Sequence, residues 1–479
     1  MTELGDTGTL NVTIGTLPDV ALLEIFNYFM AEAKVNGWHT LVHVCRSWRC
    51  VVFGSPRRLG LELRCTNTTS VTKMLAIWPV LPIRIEASYT RLSRANGADN
   101  LFAALGHRNR VCYINLGGIP NSQLKRLATV QEPFPALTYL RLSALFKDVS
   151  VLPDSFLGGS TPRLKRIYLL RISFPSLPNL LLSARDLVTL YLKDIPHSGY
   201  ISPEAIVTAS GLSALIRLED AHIEFRSPRS HPDQASRRLP LQIRTVPPAL
   251  LHLVFKGVSE YLEALVAQIS APRLRTAYIT FFNQLAFDTL QFPQFIGRAE
   301  KFRALDQAEV VFRQVSVEIT LSPRIKTVDR TVLKIAISCR ALDWQLSSMA
   351  QVCSSFLTLF TTFEHLDIRE IQNWRLLGQD NMDSNQWLEL LRPFASVKSL
   401  YLSKKLAIRI AHALQDFAAD RVTDVLPALQ NFFLKISDQS GPVKKALAQF
   451  ITARRLSGHP VVLHLYKRGT WVVDSLGDN

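Results

Sequence analysis

The chain has 479 residues, 47% of them apolar, enough to bury a sizeable core and to exclude a generally disordered protein. Lys and Arg outnumber Asp and Glu by 55 to 39, a net charge of +16 that favours acidic partners; no dense basic run concentrates it, so a dispersed basic surface is the plain expectation. The six cysteines (Cys45, Cys50, Cys65, Cys112, Cys339, Cys353) include no Cys-x-x-Cys pair, so neither a disulfide framework nor a zinc site is signalled.

Residues 1–14 carry no basic region and no long apolar run, and are expected to be a flexible N-terminus without a secretory signal. From Leu17 to Pro56 the pattern predicts two short amphipathic helices. Pro18 suits a first helical turn, and Asp19 adds charge where the helix dipole favours it. Leu22, Ile25, Phe26 and Phe29 then fall on one face, and Asn36-Gly37 breaks the pattern. The second helix carries Trp38, Leu41, Val42, Val44, Cys45, Trp48, Val51 and Val52, an apolar set too wide for one seam. Forty residues cannot bury two such helices unaided, so part of the surface needs the rest of the chain or another protein.

Leu17-Pro18, Leu22, Ile25-Phe26, Val44-Cys45 and Trp48, in that order and spacing, resemble an F-box. The continuation Val51–Thr66 is similar to fungal F-box proteins with leucine-rich-repeat-like tails. The resemblance implies a helical module over 15–56 that docks on the Skp adaptor of a cullin-type ubiquitin ligase. The implied adaptor contacts are Leu17, Pro18, Leu22, Ile25, Phe26, Cys45 and Trp48.

Beyond residue 57 an apolar-x-x-apolar-x-apolar triplet recurs. It is clearest at Leu137, Leu140, Leu142; Leu164, Ile167, Leu169; Leu187, Leu190, Leu192; and Val397, Leu400, Leu402. Looser copies start at Val80, Val111, Leu218, Leu250, Leu274, Leu305, Val332, Phe363 and Leu429, with starts 23 to 34 residues apart. The alternation predicts short strands stacking in parallel along a solenoid, each burying its apolar side against its neighbours. Return helices are expected at Ser202–Val207, Tyr261–Ile269, Trp387–Leu391, Leu406–Phe417 and Val443–Ile451. Residues 175–182 read as a turn or a single helical coil. The first strand is expected at Leu59, Leu61 and Leu63, immediately after the helical module. The fold class is therefore α/β, a helical module followed over 57–479 by an irregular leucine-rich-repeat-type horseshoe. Trp344–Phe363 has no charge, but nine of its twenty residues are Gln, Ser or Thr, so a packed helix is expected and not a membrane span. Arg226–Pro248, with five prolines and five arginines, reads as an exposed loop, with Ser227-Pro228 a candidate phosphorylation site.

No phosphate-binding glycine loop and no Gly-x-Ser-x-Gly elbow occurs; Gly117-Gly118 and Gly158-Gly159 read as turns. His39 and His43 are spaced to share a metal, but two ligands without a third are too few. No catalytic, metal or cofactor site is expected. The implied function is a non-catalytic, cytoplasmic or nuclear subunit that joins the Skp–cullin complex and recruits a protein substrate on its repeats. The alternative is a repeat scaffold or inhibitor that binds an acidic protein or nucleic acid independently of any ligase.

Overall fold

The computed structural model describes residues 14, 17–32, 37–66, 71–88, 97–145, 151–209, 215–228, 246–287, 289–324, 331–360, 362–371, 384–416, 423–435, 441–467 and 470–474. The expected flexible start, Ile14 apart, and positions 229–245 of the Pro/Arg-rich loop lie outside them. The chain divides into two compact units, one of residues 1–146 with 155–163, the other of 147–154 with 164–479.

Three helices open the first unit: α1 (Asp19–Glu32), α2 (Gly37–Val42) and α3 (Arg46–Gly54). The second helix expected from the sequence is thus divided. Cys45 is extended, at φ −156° and ψ 172°, and its Sγ accepts a hydrogen bond from the Trp48 backbone N–H at 3.4 Å, capping α3. The division has a packing reason. A straight helix would leave part of its wide apolar set outside, whereas the corner turns Leu41 and Val42, then Val51 and Val52, all inward. Arg49 Nε closes the corner by donating to the Val42 carbonyl at 3.0 Å.

Four parallel strands follow and pair in chain order: β1 (Leu63–Cys65), β2 (Ile83–Ser88), β3 (Val111–Ile119) and β4 (Tyr139–Ala144). Helices α4 (Val71–Ile77), α5 (Gly97–Leu105) and α6 (Asn121–Leu127) occupy the connections, as parallel strands require. The first strand begins at Leu63. Leu59 and Leu61 are buried in the preceding turns, where their N–H groups donate to the Ser55 and Pro56 carbonyls. Gly117-Gly118 is not a turn between elements. It lies inside β3, where Gly118 has φ 62° and the register with β4 shifts between Leu116 and Ile119, a β-bulge. Leu157, Gly158 and Gly159 all have positive φ, making the expected turn, and a Cβ on Gly158 would stand 2.5 Å from the Pro133 nitrogen.

In the second unit β5 (Arg166–Leu170), β6 (Thr189–Ile195), β7 (Asp220–Phe225), β8 (His252–Gly257) and β9 (Thr276–Phe282) run parallel in chain order. Residues 177–183 form a full helix, α7 (Leu177–Ser183), and α8 (Ser259–Gln268) returns the chain between β8 and β9. The return after Ser202 is short: Ser202 Oγ accepts the Ala205 N–H at 3.1 Å and a π-type turn spans Ala205–Ala209.

The series is then interrupted. After α9 (Gln291–Gly297) come β10 (Gln307–Arg313), a two-residue turn, β11 (Ser316–Ser322) and β12 (Val332–Ser338). β12, not β10, pairs with β9, and β10 pairs with β13 (His365–Glu370). The order is β9-β12-β11-β10-β13, with β11 antiparallel to both neighbours. This corrects the expectation of consecutive parallel repeats at Leu305 and Val332. Pairing sets Leu333 and Ile335 opposite Ala277 and Ile279, so the frame Val332, Ile335, Ile337 is displaced by two residues. The first copy is displaced likewise, since Ile85 pairs with Ile114. Glu318 of β11, largely buried, locks the inserted strand by ion pairs to Arg313 at 2.6 Å and Lys334 at 2.7 Å, one from each flanking strand. Gln345 of α10 (Leu342–Ser355) donates to the Arg313 and Cys339 carbonyls, at 3.0 and 2.7 Å, tying the ends of β10 and β12 together.

Parallel order resumes with β14 (Ser399–Ser403), β15 (Asn431–Lys435) and β16 (Val462–Lys467). Between them lie α11 (Ser384–Leu391), α12 (Lys404–Asp416) and α13 (Gly441–Leu456), and β17 (Thr470–Asp474) folds back antiparallel on β16. Arg454 of α13, fully buried, donates to the Pro427 and Leu429 carbonyls at 3.0 and 3.1 Å. No described helix is long and apolar enough to cross a membrane.

Candidate binding surfaces

Strand periodicity divides each ladder into two faces. Inward positions such as Ile167, Leu169, Leu190, Leu192, Leu400 and Leu402 are buried. The residues between them are half-buried or exposed, and parallel pairing brings them into rows. In the second unit one row runs Tyr168, Tyr191, His222, Val254, Tyr278 across β5 to β9, and reaches Lys334 on β12. Beyond the insert it runs Glu309, Asp367, Tyr401, Phe433, His464. In the first unit the corresponding row is Arg64, Arg84, Tyr113, Tyr139.

Neighbouring rings in these rows touch. Tyr113 and Tyr139 stack with centroids 4.2 Å apart and planes within 7°. Tyr401 stacks on Phe433 at 4.3 Å and 6°, and Phe433 on His464 at 4.4 Å and 13°. Trp471 of β17 stands edge-on to Phe433 at 5.1 Å and to Tyr466 at 5.1 Å. Such cross-strand contacts stabilise the sheet by about 0.5–1.5 kcal/mol each beyond area burial, and leave ring edges facing solvent. Charge is distributed differently in the two units. In the first, Glu86 receives Arg84 Nε at 2.7 Å and pairs with Arg64, and the Arg84 guanidinium lies 3.5 Å from the Tyr113 ring centroid. Burial alone would raise the Glu86 carboxyl, but the bonds from Arg84 and Arg64 outweigh it and hold it below its usual range. In the second unit burial pushes the half-buried Asp367 carboxyl up to about 6, against a weak opposing pull from Lys435.

The helical module presents the other candidate surface. Leu22, Leu23 and Phe26 of α1 are buried, and the Phe26 ring packs on Trp48 at 4.7 Å. Leu22 and Phe26 are therefore enclosed within the module in the free chain. Of the other expected contacts, Pro18, Ile25 and Cys45 are exposed, and Leu17 and Trp48 half-buried. Ile25 is 45% and Val44 56% exposed, with Val20, Tyr28 and Phe29 also in solvent. The sequence pattern missed Val20 and Tyr28, because they lie off the face that the i, i+3, i+4 spacing selects. On its covered side the module packs against the chain that follows: Trp38 meets Trp78 edge-on at 5.0 Å, and Arg58 pairs with Glu24.

His39 and His43 both lie against Trp78, with centroids 4.9 and 6.0 Å away; burial, then His43, lowers the pKa of His39. Among the described residues no group of three His, Cys, Asp or Glu side chains converges as a metal site. Ser227, at the end of β7, shares a 2.8 Å hydrogen bond with His197 Nε2.

In each unit the described strands form a mostly parallel ladder joined by helices, an α/β repeat architecture, with antiparallel β11 interrupting the second. No protein-family model matches the sequence, and no curated protein matches it. Among solved structures it is similar to the leucine-rich repeat-containing protein LegL7 of Legionella pneumophila, at 11% identity over 81% of this chain and 97% of that one, with a TM-score of 0.26. It is also similar to an internalin, InlF, of Listeria monocytogenes, at 14% identity over 73% of this chain and 81% of that one, with a TM-score of 0.28. At such scores the chains do not superpose as one shape, and the repeat assignment rests on the strand pairing described above.

Proposed function

We propose that the chain is a non-catalytic recruiting subunit. Its helical module docks on the Skp adaptor of a cullin-type ubiquitin ligase, and the open face of its sheets holds a protein substrate. One observation carries this reading: α1 is apolar on both sides. Leu22, Leu23 and Phe26 fill the module's core, while Val20, Ile25, Tyr28 and Phe29, with Val44 beyond α2, remain uncovered. A short helix that leaves this much apolar surface in water is stabilised by a partner that covers it. The order Leu17-Pro18, Ile25-Phe26, Cys45 and Trp48 supports the adaptor as that partner. The row of half-exposed aromatic and charged residues has the composition of a protein-binding surface, aromatic anchors among polar groups.

The test is co-purification with a Skp adaptor. Paired exchanges Ile25→Asp and Val44→Asp, both outside the core, are expected to abolish co-purification while the far-ultraviolet circular dichroism stays unchanged. A folded double variant that still co-purifies in full would overturn the docking role.

A further inference from the structure

The row in the second unit is chemically incomplete. Asp367 lies directly beside Tyr401 across the β13–β14 pair, at the end of the stack Tyr401, Phe433, His464. Its strand neighbour on the other side, Glu309, is already paired with Arg369. The cation whose charge acts on Asp367 is Lys435, and its Nζ sits over the Tyr466 ring at 5.4 Å. Among the described residues no cation forms an ion pair with Asp367, and no donor bonds it. A half-buried carboxylate is thus held in an aromatic setting without a counter-charge, an arrangement that costs stability in the free chain.

The first unit shows what completes such a row. There a guanidinium, that of Arg84, lies on the first ring of the stack Tyr113, Tyr139 and is held by Glu86, with Glu62 3.6 Å from its Nη1. Carboxylate, guanidinium and stacked rings occur together in one unit. In the other, among the described residues, no cation bonds the carboxylate or sits on the Tyr401, Phe433, His464 stack; Lys435 acts on Asp367, and Arg324 on Tyr401, only through their charge.

We propose that Asp367 with Tyr401 and Phe433 forms a docking point for a basic side chain, arginine foremost, presented by an extended segment of a partner protein. The carboxylate supplies the counter-charge, the outer face of Tyr401 a π-face for the guanidinium, and the ring edges of the stack an apolar rest for its stem. Arginine fits better than lysine because its planar group can bond a carboxylate and lie on a ring at once. The inference rests on the protein-binding reading of the open face. It also runs against the chain's overall field, since a net charge of +16 by itself selects acidic partners.

A random dodecapeptide phage library panned on the full-length protein tests it. The expected result is enrichment of peptides with arginine or lysine at a common position. That enrichment should fall about tenfold on Asp367→Asn, the size of one charge-assisted contact, and on Phe433→Ala. Leu456→Ala, exposed at the end of α13 and outside both rows, should leave it unchanged. Thermal unfolding of each variant confirms that it is folded. Enriched peptides without a basic residue, or basic peptides indifferent to Asp367→Asn, would overturn the assignment and leave the protein-binding reading intact. No enrichment on the folded protein would overturn both. Docking on the Skp adaptor is read separately by co-purification.

Discussion

In the first unit Arg84 lies on Tyr113, which stacks on Tyr139; in the second, Asp367 stands beside Tyr401, which stacks on Phe433 and His464. The two rows share strand geometry and ring stacking and differ in whether charge is balanced within the chain. Glu86 has two guanidinium partners, and its row is balanced in charge. Among the described residues Asp367 has no bonded cation, only the charge of Lys435. Two rows built alike can thus differ in the placement of a few charges, one closed within the chain and the other, on the proposal above, open to a partner.

The core behind the two rows sets the largest effect. Leu116→Ala and Leu402→Ala both empty buried inward positions and should each cost about 2–5 kcal/mol in guanidinium unfolding. A loss at one site alone would mean that the rows differ in their cores and not in their surface charge. Next is Glu86→Gln, which takes the paired carboxylate from Arg64 and leaves Arg84 with Glu62 alone, and should cost about 1–3 kcal/mol. Urea unfolding of this variant at neutral pH, beside the parent, checks it. The smallest effect has the opposite sign: Asp367→Asn should raise stability at pH 7 by up to about 1 kcal/mol, discounted because the carboxylate is only half-buried.

The pH dependence separates the rows further. The Glu86 pKa is held below 4.5, so its stabilising contribution is complete above 4.5 and is lost as pH falls through the lowered folded value. The Asp367 pKa is raised from 3.8 to about 6, so its relative contribution is complete below 3.8 and is lost as pH rises through about 6. Thermal unfolding from pH 7 to pH 4 should therefore show a gain that Asp367→Asn removes and Glu86→Gln retains.

Much of this is legible in the sequence once the strands are in register. The residue between the last two apolar positions of the triplet is the open-face residue: Tyr168, Tyr191, His222, Asp367, Tyr401 and Phe433 all stand there. Return helices at Tyr261, Trp387, Leu406 and Val443 were marked by their 3.6-residue spacing. The division of the second helix at Cys45 was not legible, because both halves are apolar and only packing decides where the corner falls. The inverted insert was hidden for a similar reason. β10, β11 and β12 alternate as any half-buried strand does, and alternation gives neither direction nor neighbour.

Local periodicity alone determined that the chain has a helical entry, a long series of short strands with one apolar face, and an aromatic residue at many of the outward positions. Tertiary structure alone decided which surfaces remain for partners. Leu22 and Phe26 went into the core while Ile25 and Val44 stayed outside, and a carboxylate at residue 367 was set beside a ring stack with no described cation bonded to it. Burial and charge balance depend on what other strands and helices bring to the same place, and that is a property of the fold, not of a residue's neighbours in sequence.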